Sequence, residues 1–198
     1  MSYSLDPLQA ECYLGTSVLV NKQNIQDKRI LAQAEADITK LRISQWELNP
    51  LEDTFDFNHY KAIHDHLFSD LYDWAGQIRT VDISKKDTQF CPAAEIESRA
   101  NLIFTRLRQL NFLNDMGHSS FVEELTDFYC SMNELHPFRE GNGRTQRLFL
   151  SLLVQNSGYI LNFSDMDGDF LMIATIQAAQ GVTDLLKQLL DEAVKPQE

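Results

Sequence analysis

Apolar residues return at three- and four-residue steps along most of this chain, and this spacing restricts it to a largely helical fold. An α-helix buries one face when apolar residues recur in this way, whereas a half-buried strand needs them at every second position. In one clear case, Tyr60, Ile63 and Leu67 form a single stripe. The spacing predicts helices over residues 27–47, 58–75, 93–112, 120–135, 144–155, 165–179 and 183–194. We therefore expect a mostly α fold, with 198 residues forming one core.

Two segments lack the helical spacing. Residues 78–83 alternate between apolar and polar side chains, residues 84–87 resemble a turn, and residues 88–90 could run back. This pattern predicts one small β-hairpin near residues 78–90. Residues 1–25 show no periodicity, and we interpret them as an N-terminal arm on the surface of a domain that spans residues 26–198.

The charge and composition exclude several classes of function. The chain carries 17 basic and 29 acidic side chains, a formal charge of −12, which disfavours direct binding of nucleic acid. It has no apolar run of about 18 residues and no basic, apolar leader, so we predict a cytoplasmic protein without a membrane partner. Cys12, Cys91 and Cys130 are scattered, which indicates neither a disulfide framework nor a zinc site.

One loop concentrates the residues that suit phosphate chemistry. It reads His136-Pro-Phe-Arg-Glu-Gly-Asn-Gly-Arg144-Thr-Gln-Arg147 and precedes a predicted helix. Gly141 and Gly143 allow close backbone approach to an anion, and the amides of the helix start add positive potential. Arg144 and Arg147 lie three residues apart, so on a helix both reach one polyphosphate.

The same loop holds a candidate metal ligand and a candidate general base. Glu140 is a lone carboxylate beside these amides. A single carboxylate suits Mg²⁺, because phosphate oxygens and water can supply its other ligands. His136 is a candidate general base. The alternative is an ordinary turn between helices, but a turn requires only one or two of these residues.

Two weaker patterns are assigned no chemistry. The other histidines, His59, His64, His66 and His118, lack metal-ligand spacing, and we interpret them as structural or exposed. Residues 165–169 are acidic but lack the glycine and glutamate positions of a calcium loop.

At residues 136–147 the chain resembles the Fic family, whose motif HxFx(D/E)GNGRxxR is filled at every fixed position. Residues 63–68 and 74–76 resemble the family's helix before the hairpin, and residues 78–90 resemble its target-docking flap. Residues 13–22 are similar to the N-terminal segment of small bacterial Fic toxins. The resemblance covers nearly the whole chain.

The resemblance implies transfer of AMP from ATP to a hydroxyl of a target protein. By analogy, His136 is the base, Glu140 holds Mg²⁺ and Phe138 anchors the loop in the core. The implied phosphate-binding residues are Gly141, Asn142, Gly143, Arg144 and Arg147. The implied flap residues, which would pair with an extended target segment, are Ile78, Arg79, Thr80, Val81, Asp82 and Phe90.

The resemblance also bears on control and on rival functions. Many Fic proteins carry an inhibitory helix with the pattern (S/T)xxxE(G/N), which this sequence lacks. We therefore expect a toxin inhibited by a separate small antitoxin that carries this helix. The target would expose a Tyr, Ser or Thr hydroxyl, and a type II topoisomerase subunit is the implied candidate. Alternatives are de-AMPylation, phosphoryl transfer of the Doc type, or a non-catalytic binding module.

Overall fold

A computed structural model describes residues 11–48, 54–85 and 88–197 of the chain. Seven α-helices dominate these residues, which confirms the mostly α fold. They are α1 (Lys28–Leu48), α2 (Phe57–Phe68), α3 (Ile96–Gln109), α4 (His118–Leu135), α5 (Asn142–Asn156), α6 (Gly168–Ala179) and α7 (Asp184–Ala193). None of the helices in the described part of the chain is long and apolar enough to cross a bilayer.

Two short antiparallel sheets accompany the helices. Strands β1 (Ser84–Lys85) and β2 (Thr88–Gln89) form a hairpin within the predicted range 78–90, but β1 lies in the residues predicted as its turn. Strand β3 (Tyr159–Ile160) pairs with β4 (Lys195–Pro196) near the end of the chain. The prediction of a strand over residues 78–83 is wrong. The backbone N–H of Arg79 donates to the carbonyl of Pro137 at 2.9 Å, so this segment joins another loop instead of a strand. Residues 86 and 87 of the predicted turn lie outside the described residues.

Helix α2 begins and ends for local reasons. The Asp56 carboxylate accepts a bond from the backbone N–H of His59 at 2.8 Å, as an N-cap residue does. The helix ends at Phe68, seven residues before the predicted end at residue 75, and a turn follows it. Within this turn Leu71 remains buried, and Gly76 takes a φ of 74°. Pro50, at which a proline is expected to stop the first helix, lies outside the described residues.

The core forms around α5, where Phe149 is fully buried. Its ring contacts five others, those of Phe55, His59, Tyr60, Phe104 and Phe128. These rings come from α2, α3, α4 and the residues before α2. The core therefore packs α5 against α2, α3 and α4, and this packing fixes the position of the segment between α4 and α5.

The described part of the N-terminal segment lies against the end of α2. Cys12 and Leu19 form an isolated bridge, and the backbone N–H of Lys22 donates to the carbonyl of Leu71 at 2.8 Å. The Lys22 ammonium also donates to the carbonyl of Ser69 at 2.7 Å. The arm over residues 1–25 stays a prediction as a domain boundary, and residues 1–10 lie outside the described residues.

Candidate active site

The loop between α4 and α5 is anchored by buried residues. Phe138 has no exposed surface and stacks on the rings of Tyr60, 5.6 Å away, and His64, 3.8 Å away. Gly141 has a φ of 81°, and a Cβ built there would lie 2.4 Å from the ring of Phe68. Only glycine meets both the conformation and the space at this position.

His136 leaves α4 in the left-handed conformation and presents one ring nitrogen for chemistry. Its Nδ1 lies 3.2 Å from the carbonyl of Asn133, and since a carbonyl only accepts, Nδ1 carries the proton. Nε2 therefore holds a lone pair. The ring stacks on Phe90 with centroids 3.8 Å apart. Burial lowers the pKa of His136 to about 4, so the imidazole is neutral at pH 7 and able to accept a proton.

Backbone amides at the start of α5 form the candidate anion site. The N–H groups of Asn142 and Gly143 have no acceptor among the described residues, as expected for a helix N-terminus. The Asn142 side chain, by contrast, is buried and exchanges two 2.8 Å bonds with the backbone of Phe138. It closes the loop, and the backbone N–H of Asn142 is the group that stays without an acceptor among the described residues.

The two predicted arginines lie on α5 in different environments. Arg144 pairs with Glu35 of α1 at 2.8 Å, lies 3.5 Å from Glu140 and covers the ring of Phe68 at 4.7 Å. Arg147 makes no ion pair with a carboxylate in the described parts of the chain, and burial lowers its pKa. Glu35 was missed at the sequence level, because no local pattern distinguishes it from the other polar residues of α1.

Glu140 meets the requirement for a magnesium ligand. Its carboxylate is half exposed, and one oxygen accepts a bond from the N–H of Gly141 at 2.9 Å. Within the described residues there is no group of three or more metal-ligating side chains. Glu140 fits Mg²⁺ only in the single-carboxylate mode, in which phosphate oxygens and water supply the other ligands.

The predicted flap residues divide into buried and exposed groups. The Arg79 guanidinium is buried and donates to backbone carbonyls of the flap and of the loop after α4. The accepting residues are Val81 at 2.8 Å, His136 at 2.9 Å, Cys91 at 2.5 Å and Leu135 at 3.5 Å. The Arg79 side chain thus joins the flap to the loop, and the pairing of its backbone with a target stays a prediction.

The remaining flap side chains lie nearer the surface. Thr80 and Asp82 are exposed, and the Asp82 carboxylate accepts a bond from the N–H of Ala93 at 2.7 Å. Ile78, Val81 and Phe90 are half-buried.

Comparison with known proteins decides the family. The Fic/DOC family profile matches residues 54–154, the part of the chain that contains the loop and the flap. The chain belongs to the Fic/DOC family. The "probable protein adenylyltransferase Fic" of Salmonella typhimurium is 37% identical over 92% of this chain and 90% of its own length. Protein adenylyltransferase VbhT of Bartonella schoenbuchensis is 33% identical over 88% of this chain and 37% of its own length.

Solved structures agree with the sequence relationship. The BepC effector protein of Bartonella tribocorum, solved with bound AMPPNP, superposes with a TM-score of 0.91 at 27% identity, covering 96% of this chain and 98% of its own. The N-terminal Fic domain of a Bep effector of Bartonella quintana, with bound ADP, has a TM-score of 0.89 at 26% identity and covers 96% of both chains. The chain thus has the Fic fold over almost its whole length.

His64, predicted to be structural or exposed, supports the Fic loop directly. It is fully buried; its Nδ1 accepts from the N–H of Gly76 at 2.8 Å, so Nε2 is protonated and donates to the carbonyl of Glu140 at 3.0 Å. Burial lowers the pKa of His64 to about 4. The residue connects the turn after α2 to the loop, a role that its helical position at the sequence level did not reveal.

Gly141→Ala should destabilise the fold around the Fic loop, whereas Gly143→Ala should not. A methyl group at residue 141 meets the ring of Phe68 and requires a left-handed alanine, but at residue 143 it meets only the flexible end of Arg147 at 3.3 Å. We expect Gly141→Ala to lower the free energy of unfolding by about 1–3 kcal/mol. Urea denaturation of both variants measures this difference, and equal stabilities would contradict the requirement for glycine at residue 141.

His64→Gln should reduce the acid sensitivity of the fold. The pKa of His64 is about 4 in the folded chain and about 6.5 when unfolded, so the unfolded chain binds the proton first as the pH falls. This histidine therefore stabilises the fold above pH 6.5 and loses that contribution between pH 6.5 and 4. Between pH 7 and 5 the wild type should lose about 2 kcal/mol more than the variant. Urea denaturation at both pH values measures this; parallel losses would refute the assignment.

Proposed function

We propose that this chain transfers AMP from ATP to a hydroxyl side chain of a target protein. The neutral imidazole of His136 carries the proposal, because its Nε2 lone pair lies on the same loop as the anion site. The unpaired amides of Asn142 and Gly143, with Arg144 and Arg147, supply the groups that a polyphosphate needs. The relatives named as protein adenylyltransferases support the same reaction.

The reaction is an in-line displacement at the α-phosphorus. The target oxygen forms a bond to phosphorus while the bond to the oxygen that bridges to the β-phosphate breaks, and pyrophosphate leaves with that electron pair. His136 Nε2 takes the proton of the target hydroxyl. The amides and arginines hold the phosphates in place and stabilise the charge that develops on the leaving group.

Magnesium and ATP complete the proposed site. When bound, Mg²⁺ would neutralise phosphate charge, and Glu140 is the residue that would hold it. ATP as the nucleotide is supported by the AMPPNP and ADP bound in the Bartonella structures. A cytoplasmic site of action, where ATP is available, belongs to the proposal.

The target segment would dock at the flap. Both residues of β1 are exposed, so the strand offers backbone groups to an extended peptide. Thr80, Asp82 and the half-buried Phe90 lie along the same segment, and the Phe90 ring stacks on His136. A peptide paired with β1 would bring its hydroxyl toward His136. A type II topoisomerase subunit is the proposed target, on the resemblance to small bacterial Fic toxins.

We also propose that the chain is the toxin of a toxin–antitoxin pair. Arg147 has no carboxylate partner among the described residues, so it is available to the γ-phosphate and to a competing glutamate. The sequence as printed lacks the pattern (S/T)xxxE(G/N). A separate small protein that carries this helix would supply the glutamate. The arm over residues 1–25 and the Fic domain from residue 26 remain the proposed organisation.

His136→Ala should abolish transfer and leave nucleotide binding intact, because the variant loses the base and keeps the phosphate-binding groups. Purified protein is incubated with ATP and a host lysate, and modified proteins are identified by mass spectrometry. AMP, phosphate or no addition distinguishes AMP transfer from Doc-type chemistry and from a binding module. His118→Ala, at an exposed histidine, is the matched control and should remain active. Transfer retained by His136→Ala would refute the role of the base.

The isolated chain should be active, and a partner protein that places a glutamate on Arg147 should inhibit it. Inhibition is expected to follow binding with the same midpoint, because the glutamate and the γ-phosphate compete for one guanidinium. Titration of the partner, and of its Glu→Gln form, into the transfer assay measures this. An isolated chain that is inactive until residues 1–10 or α7 are removed would show that inhibition is internal.

A further inference from the structure

Glu35 connects α1 to the phosphate-binding loop. Its side chain is only 12% exposed, and one carboxylate oxygen, Oε2, accepts a bond from the Arg144 guanidinium at 2.8 Å. The other oxygen, Oε1, accepts a hydrogen bond from the Tyr72 hydroxyl. Burial raises the pKa of Tyr72 and Glu35 acts in the same direction, so this hydroxyl remains a donor. The carboxylate is therefore held by residues from two other segments of the chain.

We propose that Glu35 is a positioning residue for ATP: it holds the Arg144 guanidinium in the orientation that binds the β- and γ-phosphates. This role rests on the proposed function, since Arg144 is assigned to the polyphosphate there. A long arginine side chain loses considerable conformational freedom when it binds a ligand. A carboxylate that orders the side chain beforehand lowers this cost.

The geometry indicates that Glu35 holds Arg144 in place and does not exclude phosphate from it. Glu35 and Glu140 both approach Arg144 at Nη2, at 2.8 and 3.5 Å, and no described residue accepts a bond from its Nε or Nη1. The guanidinium also lies over the Phe68 ring, which limits its rotation. Because the guanidinium has five donors in a fixed plane, a carboxylate on one nitrogen leaves an edge for phosphate.

The environment of Glu35 also argues against release during the reaction. A carboxylate that is nearly buried requires partners for both oxygens, and Glu35 has one for each. Moving it away from Arg144 would leave a buried charge without compensation. Arg147, which has no such carboxylate among the described residues, is the arginine at which an inhibitory glutamate would act.

Glu35→Gln tests the proposal by binding, independently of transfer. Calorimetric titration with AMPPNP should show an affinity roughly tenfold lower than that of the wild type. The affinity for AMP, which lacks the β- and γ-phosphates, should be unchanged. In the Arg144→Gln background, Glu35→Gln should cause no further loss, because it acts only through Arg144.

Two further variants separate positioning from a general loss of structure. Asp37→Asn, at an exposed carboxylate on the same helix, is the matched control and should bind AMPPNP as the wild type does. Tyr72→Phe removes the donor to Glu35 and keeps the ring, so a smaller loss in the same direction is expected. If Glu35→Gln unfolds, Tyr72→Phe still decides the question through the same titrations.

Several results would overturn the proposal. Tighter AMPPNP binding or faster transfer by Glu35→Gln would show that the carboxylate blocks the site, and an unchanged affinity or an equal loss for AMP would show that it does not position Arg144. If the variants show the expected differences in AMPPNP affinity but the wild-type protein transfers no AMP, the proposed function is contradicted and the positioning role is confirmed.

Discussion

The stacking of α2 on the loop between α4 and α5 is the contact on which the site depends. His64 stacks on Phe138 and bonds to the Glu140 carbonyl, while Phe68 leaves room only for glycine at residue 141. These contacts set where α5 begins, and the start of α5 sets where its unpaired amides and two arginines lie. A substitution of one side chain in this stack would therefore displace the start of α5 together with its amides and arginines.

Two arginines of the Fic domain carry their charge in poorly solvated surroundings, although the net charge of the protein is −12. Arg79 and Arg147 both have pKa values lowered by burial, and neither makes an ion pair with a carboxylate in the described segments. Arg79 satisfies its donors on backbone carbonyls and so serves the framework. Arg147 lies in a poorly solvated place, where a cation would attract phosphate strongly. The net charge of the chain therefore says little about this site.

The N-terminal part of the chain completes a loop that lies far from it in sequence. Glu11 pairs with Arg139 at 2.5 Å and Glu35 pairs with Arg144 at 2.8 Å, so two carboxylates outside the matched profile of residues 54–154 reach two loop arginines. Arg147 is the third and has no such partner among the described residues. The family segment alone thus lacks two of the side chains that order its charged loop.

The amino-acid sequence by itself determined the helical fold and the chemistry of the loop, because helix spacing and the conformation of Gly141 depend on neighbouring residues. Only the tertiary structure decided which loop side chains face a ligand and which hold the framework. It turned Arg79 inward, kept residues 78–83 out of a strand and brought Glu35 to Arg144 across 109 positions. Such contacts depend on how helices pack, and a local pattern of residue types carries no information about the partner across the core.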